Sequence, residues 1–557
     1  MTETETAAPT GQAKRPNQEI LEEGSVAPAL SAKRFPTRRS LPFPRRMAIA
    51  VLLTALPVAV FWSTIFYHYG FRDDYSIIQE AAEEPGKVFR VCASYARPLY
   101  GVFLETTAAW IERIDELKWM RLAGAVSVGL VSGTAFIVFT QVGWSIGLSA
   151  LLSATIGLLP AAQIISSWAI CWPHGLAAVL GLLAFLLADH VIGTKSSWSR
   201  LPGMLAGSAI LALGTLVYQQ HSLFYFVGMG AGFVAFREGS VGQRTAWVVR
   251  HCIVAAWGLG LALLVMVILI ELNIAVQTYH MQFEPDPLGK LWWFIKGPLK
   301  NALGIVVLND ELGKNRVIHL AVLVLTLSLL SAGAWSRWRL GGAMDAGLWL
   351  AVLILLVVLS YGVNLASMNR FVAYRHIWAL TSILLLFSVA GLKSLSRSWQ
   401  RSGRMGAPAA LSLLLMASVV LAHDQAYELL ALPQSEELAV IEEGAKRIDI
   451  TKRSRVFIVT PSRRNAPCPV RVADEFGSLS TDAEWVSAEM LEGIMKERFP
   501  DSGDVTKLYQ LGCGDVLPPK QRYDVVIDLR NLRPMDLEEA LDVLGREEEM
   551  LRDFKAQ

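Results

Sequence analysis

The chain has 557 residues, of which 53% are hydrophobic and only 18% are charged. Its mean hydropathy is +0.40, whereas a soluble chain needs about 25% charged residues to cover its surface. Because the apolar residues also gather in long runs, the composition excludes a disordered protein, a disulfide-stapled secreted module and an ordinary cytosolic enzyme. It indicates a polytopic α-helical membrane protein. The net charge of +2 names no partner, and we expect membrane lipids but no nucleic acid around the chain.

Candidate membrane spans follow one another along most of the chain. A bilayer crossing takes about 20 mostly apolar residues, and about eleven stretches meet this requirement. The stretches lie near 47–67, 120–140, 144–165, 169–191, 203–218, 222–236, 251–274, 317–334, 345–363, 376–392 and 407–422. The fifth and sixth are short and flank Tyr218 to His221, so they form either a tight hairpin or one broken helix.

Basic residues in the short loops predict the orientation, because Lys and Arg are retained on the cytoplasmic side. A basic run precedes the first span, which predicts a cytoplasmic N-terminus and an uncleaved signal anchor. The even-numbered loops are basic as well, and an odd number of spans places the C-terminus outside. The basic residues are Lys33, Arg34, Arg38, Arg39, Arg45 and Arg46 before the first span, and Lys195, Arg200, Arg237, Arg244, Arg250, Arg337, Arg339, Lys393, Arg397, Arg401 and Arg404 in these loops.

The same pattern divides the chain into regions. Residues 1–46 are expected to form a disordered, basic cytoplasmic N-terminus. Residues 47–423 form the transmembrane domain, with large exterior loops at 68–119 and 275–316 that are candidates for function. Residues 424–557 form a small soluble α/β domain on the exterior face.

In the C-terminal domain, the runs VFIVT near 457–460 and YDVVIDL at 523–529 predict strands. The stretches from Ala483 to Arg498 and from about Asp536 to Phe554 predict helices. Cys468 and Cys513 lie in this domain and form either a disulfide or two free thiols. The remaining cysteines lack metal-ligand spacing, so no zinc site is expected.

The first large loop opens with an acidic pair in the sequence FRDDYS. Asp73 and Asp74 have the chemistry of a general base, a metal ligand or a group that orients a sugar hydroxyl. Alternatively, one of them caps the helix predicted over Tyr75 to Glu84. A divalent metal is possible, although one acidic pair is too little to argue for it.

The segment after the acidic pair, KVFRVCASYARPLYG, has a helical period that is interrupted at Pro98. It predicts helices that lie on the membrane surface. Arg97 stands beside Pro98, where the helix must kink. It is either a snorkelling interfacial cation or a clamp for phosphate.

A first span, an acidic pair and then amphipathic surface helices resemble the GT-C glycosyltransferases. The motif RDDYS followed by YARPLYG resembles the serotype-converting O-antigen glucosyltransferase family of bacteria. The resemblance covers about residues 47–423. It implies a GT-C-like fold in the bacterial inner membrane, a polyprenyl-phosphate-glucose donor and a lipid-linked or cell-surface glycan acceptor. It also implies a catalytic role for Asp73 or Asp74 and a phosphate-binding role for Arg97.

Polar residues at the exterior ends of later spans are further candidates. Tyr218, Gln219, Gln220 and His221 form either a polar surface turn or part of a ligand site. His174, which follows Trp172 and Pro173, is typical of ordinary interfacial anchoring.

The sequence ASMNRFVAYRHIW between the ninth and tenth spans offers Arg370, Arg375 and His376. Exterior loops elsewhere are poor in arginine, and the arginine fork binds phosphate through two hydrogen bonds. Arg370 or Arg375 is therefore either a ligand of the donor phosphate or an interface anchor.

The leading hypothesis is a glycosyltransferase on the exterior face. Asp73 or Asp74 would deprotonate the acceptor hydroxyl, while Arg97, Arg370 and Arg375 would hold the donor phosphate. The alternative is a transporter or flippase of a lipid-linked sugar that uses the same arginines for binding alone. A third reading is a scaffold that works through its C-terminal domain.

Overall fold

A computed structural model describes residues 42–193, 200–236, 239–309, 316–398, 406–461, 475–519, 522–532 and 545. The predicted architecture, a polytopic helical membrane protein with a small C-terminal α/β domain, is confirmed. Helices dominate because a chain in hydrocarbon must satisfy its backbone hydrogen bonds within each segment. Of the N-terminal segment 1–46 that was expected to be disordered, residues 1–41 lie outside the described residues, whereas residues 43–46 belong to the first helix, which begins at Phe43.

The first half of the chain contains a first span, the helices of the first large loop and then a series of spans. In chain order, the helices are α1 (Phe43–Val60), α2 (Trp62–Ile65), α3 (Asp73–Glu83), α4 (Lys87–Ser94), α5 (Pro98–Ala108), α6 (Leu117–Gln141), α7 (Ile146–Ile156), α8 (Pro160–Ser167), α9 (Pro173–Gly193), α10 (Arg200–Val217), α11 (Gln219–Ser222), α12 (Phe224–Ala235) and α13 (Val241–Glu271).

The second half contains the second large loop, further spans and the C-terminal domain. Its helices are α14 (Pro287–Phe294), α15 (Lys300–Leu303), α16 (Arg316–Leu359), α17 (Gly362–Ala366), α18 (Trp378–Ser398), α19 (Gly406–Ala426), α20 (Leu432–Ala445) and α21 (Glu484–Arg498). Its strands are β1 (Ser454–Val459), β2 (Tyr509–Gly514) and β3 (Val525–Asp528).

Among the described residues, eight helices are long and apolar enough to cross a membrane, or nine if the bent pair α7–α8 is one span. The sequence predicted more spans for two physical reasons. The 44-residue α16 holds two expected spans, because Gly342 breaks it with a φ of 76° and a ψ of −172°. The 12-residue α12 is short because it lies almost wholly buried inside the bundle.

The break in α16 lies at an end of the bundle where loops carry basic residues. Asp345, just after the break, is buried and pairs with Arg244 at the start of α13. Arg337, just before the break, lies 3.8 Å from the same carboxylate. Arg244 and Arg337 therefore share one end of the bundle, in agreement with their assignment to loops on the same side.

The C-terminal domain is a parallel three-stranded sheet in the order β2-β1-β3 with helices packed on it. The predictions of β1, β3 and α21 are confirmed, whereas β2 was not predicted. No flexible linker leads into the domain, because α19 continues through a π-helical turn at Tyr427–Ala431 into α20. Cys513 is a free thiol. Cys468 and the helix expected from Asp536 to Phe554 lie outside the described residues.

The C-terminal domain packs directly on the first large loop. His68 lies 3.0 Å from Glu442 of α20, and Gln79 of α3 donates to the carbonyl of Glu489 in α21 at 2.6 Å. Lys496 of α21 pairs with Glu83 at the end of α3. The loop that carries the acidic pair is thereby held between the membrane bundle and the C-terminal domain.

Candidate functional site

The backbone at the start of the first large loop is fixed by a buried arginine. Arg121 of α6 is fully buried and donates to the carbonyls of Ile65, Tyr67 and Tyr69. Its guanidinium also stacks on the Tyr69 ring at 4.1 Å. The segment that leads to the acidic pair is therefore rigidly attached to the membrane bundle. Sequence analysis did not single out Arg121, although its place in an apolar span was a signal.

The two aspartates of the acidic pair differ in burial. Asp74 is fully buried, and its two oxygens accept hydrogen bonds from the backbone N–H groups of Phe71 at 2.8 Å and Ile170 at 3.0 Å. Burial raises the pKa of Asp74 to about 7, against the lowering effect of these bonds and of Arg121. A pKa near neutrality suits a base, but the burial of Asp74 closes it to a substrate. Its geometry is that of an anchor between α3 and the segment before α9.

Asp73 is half-buried and is the first residue of α3. Adjacent helical residues point about 100° apart, so the burial of Asp74 turns Asp73 to a different face. The Asp73 charge contributes to the raised pKa values of the Cys92 thiol and the Tyr95 phenol, both of which rise mainly through burial. Arg97 acts on the same two groups in the opposite direction. The charges of Asp73 and Arg97 therefore both act on Cys92 and Tyr95.

Neither aspartate is the N-cap that sequence analysis offered as an alternative. The N-cap of α3 is Arg72, which has a positive φ of 45° and no capping side-chain bond. The helix starts two residues earlier than predicted, at Asp73. Both carboxylates thus lie in its first turn, where the helix dipole favours negative charge.

Arg97 lies at the break between α4 and α5, as predicted from Pro98. Its Nε donates to the side-chain oxygen of Gln219 at 3.1 Å, and its guanidinium lies over the Tyr218 ring at 4.2 Å. Gln219 in turn donates to the carbonyl of Ala96. Among the described residues, no carboxylate lies within 4.0 Å of the Arg97 guanidinium. Arg97 is therefore a half-buried cation held by a neutral amide and an aromatic face.

Three histidines surround Tyr218. The Tyr218 hydroxyl lies 3.1 Å from His376 Nε2, and the His174 ring lies 3.7 Å from the Tyr218 ring. His221 stacks on His174 with an 18° angle between ring planes. All three are buried, and neither ring nitrogen of His174 has a hydrogen-bond partner among the described residues. The anchoring role expected for His174 does not account for this position inside the cluster.

His221 is neutral and has a defined tautomer. Burial lowers its pKa to about 3, and the guanidinium groups of Arg97 and Arg375 lower it further. Its Nε2 lies 2.9 Å from the carbonyl of Arg375, which can only accept, so Nε2 carries the proton. The other nitrogen, Nδ1, is an acceptor without a partner in the part of the chain that the structure describes.

Arg375 lies in the 3₁₀ turn Tyr374–Ile377 and pairs with the C-terminal domain. Its Nη1 donates to Glu475 Oε1 at 2.8 Å, and the backbone N–H of Tyr374 donates to Glu475 Oε2 at 3.1 Å. Glu475 is fully buried, and the Arg375 guanidinium lies over the Trp168 ring at 4.6 Å. Sequence analysis missed Glu475, because nothing local signals a contact across 100 residues.

The segment that contains Glu475 also reaches the acidic pair. The backbone N–H of Arg72 donates to Ser480 Oγ at 2.8 Å. The carboxylate of Glu437 in α20 accepts from the N–H groups of Ser480 and Thr481, both at 2.9 Å. Residues 475–481 therefore contact both the start of α3 and the turn that bears Arg375.

Arg370 is separate from this cluster. It forms two hydrogen bonds with Glu284 of the second large loop, at 2.9 and 3.2 Å, and lies 3.5 Å from Asp286. The Arg370 guanidinium lowers the pKa of Glu284 to about 2. Arg370 is exposed, and its contacts tie its turn to the second large loop.

The predicted residues thus fall into groups. One group of residues converges, which we call the arginine–histidine cluster: Arg97, Tyr218, Gln219, His221, Arg375 and His376. Arg370 is bound to Glu284, and the buried Asp74 accepts hydrogen bonds from the backbone of Phe71 and Ile170. Within the described part of the chain, no group of three or more His, Cys, Asp or Glu side chains is arranged to hold a metal ion, so no metal ligands are assigned.

No family model matches the chain, and no curated protein sequence matches it. Among solved structures, it is similar to the Archaeoglobus fulgidus oligosaccharyltransferase tethered to an acceptor peptide, with 12% identity and a TM-score of 0.40 over 75% of this chain and 62% of that one. It is also similar to ArnT from Cupriavidus metallidurans bound to undecaprenyl phosphate, with 11% identity and a TM-score of 0.36 over 74% of this chain and 83% of that one. The chain spans less than two thirds of the oligosaccharyltransferase, and similarity at this level assigns no activity to it.

Proposed function

We propose that the protein is a membrane glycosyltransferase that moves a sugar from a polyprenyl-phosphate donor to a hydroxyl of a lipid-linked or cell-surface glycan. The observation that carries the proposal is Arg97, a half-buried guanidinium without a carboxylate partner among the described residues. We further propose that this site faces the exterior of the bacterial inner membrane, with the N-terminus in the cytoplasm.

The arginines differ in their availability to a phosphate. Arg370 is bound to Glu284 and Arg375 to Glu475, so a donor would have to displace a carboxylate from either one. Among the described residues, the Arg97 guanidinium contacts the neutral side chain of Gln219 and the Tyr218 ring. We therefore assign the donor phosphate to Arg97, because an arginine fork binds phosphate oxygens with two charge-assisted hydrogen bonds.

The reaction is written with Asp73 as the general base. The acceptor hydroxyl gives its proton to Asp73 while its oxygen bonds to the anomeric carbon of the sugar. The bond from that carbon to the phosphate oxygen breaks, and polyprenyl phosphate leaves with one additional negative charge. Arg97 stabilises this developing charge.

The histidines provide neutral contacts for the sugar. Among the described residues, Nδ1 of His221 is a hydrogen-bond acceptor without a partner. The Tyr218 and His174 rings, 3.7 Å apart and tilted by 49°, form an aromatic wall beside it. Neutral imidazoles beside a guanidinium suit an uncharged hexose. Glucose is the proposed sugar, on the resemblance of RDDYS and YARPLYG.

The test compares wild type with Asp73→Asn and Asp74→Asn at equal levels in membranes. Transfer of label from polyprenyl-phosphate-glucose to endogenous glycan is followed. Because a positioned general base contributes about 10²- to 10⁴-fold, we expect Asp73→Asn to lose at least about 100-fold in rate. Glu112→Gln, an exposed change in the same loop, is the matched control and keeps the wild-type rate.

Two results would count against the proposal. A wild-type transfer rate in Asp73→Asn would exclude Asp73 as the general base. A wild type that transfers no sugar from a panel of polyprenyl-phosphate sugars, but moves the labelled donor across sealed vesicles, would favour the flippase reading instead.

A further inference from the structure

The C-terminal domain contacts the arginine–histidine cluster through the side chain of Glu475. The fully buried carboxylate of Glu475 bridges two groups of the turn Tyr374–Ile377, the N–H of Tyr374 and the guanidinium of Arg375. A carboxylate that binds both a backbone amide and a side chain fixes the turn in position and in orientation.

Contacts continue from this turn to Arg97. The carbonyl of Arg375 accepts from His221, and His376 contacts the Tyr218 hydroxyl at 3.1 Å. The Tyr218 ring lies against the Arg97 guanidinium at 4.2 Å. Each step is a hydrogen bond or a direct ring contact, so a shift of the turn is transmitted to the residue assigned to the donor phosphate.

We infer that the C-terminal domain completes the donor site and that Glu475 is a positioning residue, acting through Arg375 and the turn Tyr374–Ile377 on Arg97. This inference rests on the proposed function for its effect on transfer. It gives the domain a role in the reaction at a contact 100 residues distant in the chain.

The charge of Glu475 matters as well as its shape. Arg375 has only 15% of its side chain exposed, and a neutral residue at position 475 would leave that cation without this partner. Removing one member of a buried ion pair is strongly unfavourable because the other charge stays buried. Tyr374 and Arg375 donate to different oxygens of Glu475, and in Glu475→Gln one of these oxygens becomes an NH2 group that cannot accept. Either the Tyr374 bond or the Arg375 bond is lost.

The first arm of the test is a double-mutant cycle on transfer in membranes. We expect Glu475→Gln to lower kcat/KM for the lipid donor at least about tenfold, with the acceptor KM within twofold of wild type. In an Arg375→Met background the same change costs less than threefold, because the opposed donor is gone. Glu443→Gln, an exposed change in α20, is the control and keeps wild-type kinetics.

The second arm is independent of activity. Hydrogen exchange of the peptide over residues 371–378 is measured in purified wild type, Glu475→Gln and Glu443→Gln. We expect faster exchange in Glu475→Gln alone, since the Tyr374 amide loses a buried acceptor or its neighbour moves. The double variant Glu475→Gln with Arg375→Met keeps this arm usable if the single variant does not accumulate, because it removes both members of the ion pair.

The two arms separate the possible failures. Unchanged exchange, or equal losses from Glu475→Gln in both backgrounds, overturns the positioning role. Faster exchange in a protein whose wild type transfers no sugar overturns the proposed function and leaves the contact between Glu475 and the turn intact.

Discussion

Replacement of Arg97 by Gln removes the cation assigned to the donor phosphate and leaves most of the local packing. The donor is a phosphate diester with one negative charge, and the leaving polyprenyl phosphate gains a second one. Two unit charges about 4 Å apart interact by about 4 kcal/mol at an effective dielectric constant of about 20. At about 1.4 kcal/mol per factor of ten, the full interaction corresponds to about 10³ in kcat/KM.

Arg97 is half-buried rather than buried, so solvent screening reduces this value. We expect Arg97→Gln to lose about 10²- to 10³-fold in kcat/KM for the donor. Part of the loss is a raised donor KM, because one charge is present in the ground state. The rest is a lowered kcat, because the second charge develops only in the transition state.

Two further variants sharpen the measurement. Arg97→Lys keeps the charge but loses the hydrogen bond to Gln219 and the planar contact with Tyr218, so we expect about a tenfold loss. Arg90→Gln changes an exposed arginine of α4 that pairs with Glu84, and we expect rates within twofold of wild type. Initial rates in membranes at varied donor concentration give both constants. A kcat/KM for Arg97→Gln within threefold of wild type refutes the assignment.

Two predictions concern the residues that the structure assigns to anchoring. The pKa of Asp74 is raised to about 7 by burial, so its contribution to stability is present below the unfolded pKa of about 4 and is lost as pH rises through about 7. The thermal stability of wild type relative to Asp74→Asn, measured in detergent, should therefore fall between pH 5 and pH 8. A stability difference that is constant with pH contradicts the burial of an ionisable Asp74. The second variant, Arg370→Gln, should reduce transfer less than threefold while lowering thermal stability, because Arg370 is bound to Glu284. A 100-fold loss of transfer would indicate that Arg370 binds the donor.

Sequence patterns were strongest where one physical requirement acts locally. Apolar runs predicted the spans, and the β-branched runs near Val456 and Val525 predicted strands. Sequence analysis placed Arg97, Tyr218 and His376 at the same side of the membrane, and the structure brings these three residues together. That this side is the exterior stays a prediction. β2 escaped prediction because its sequence YQLGCG contains glycines and little β propensity.

The failures of sequence reading share a cause. Asp73 and Asp74 are adjacent in sequence, but helical geometry turns them about 100° apart. Asp74 is the one that accepts a hydrogen bond from the distant backbone of Ile170. Likewise, Arg370 and Arg375 occupy similar sequence settings. They differ in their partners: Arg370 binds Glu284, 86 residues away, and Arg375 binds Glu475, 100 residues away. Local sequence patterns do not predict ion pairs between residues that are far apart in the chain.

The pairing of arginines also bears on why Arg97 is built as it is. A partly desolvated guanidinium is costly unless it finds a counter-charge, and this fold supplies buried carboxylates readily, as it does for Arg375 with Glu475. At Arg97 it supplies an amide and an aromatic ring instead. Those partners orient a guanidinium without neutralising it, so the charge stays available to an anion that binds beside it. The neutral state of His221, which the same guanidinium groups help to enforce, keeps a second cation from sharing that anion.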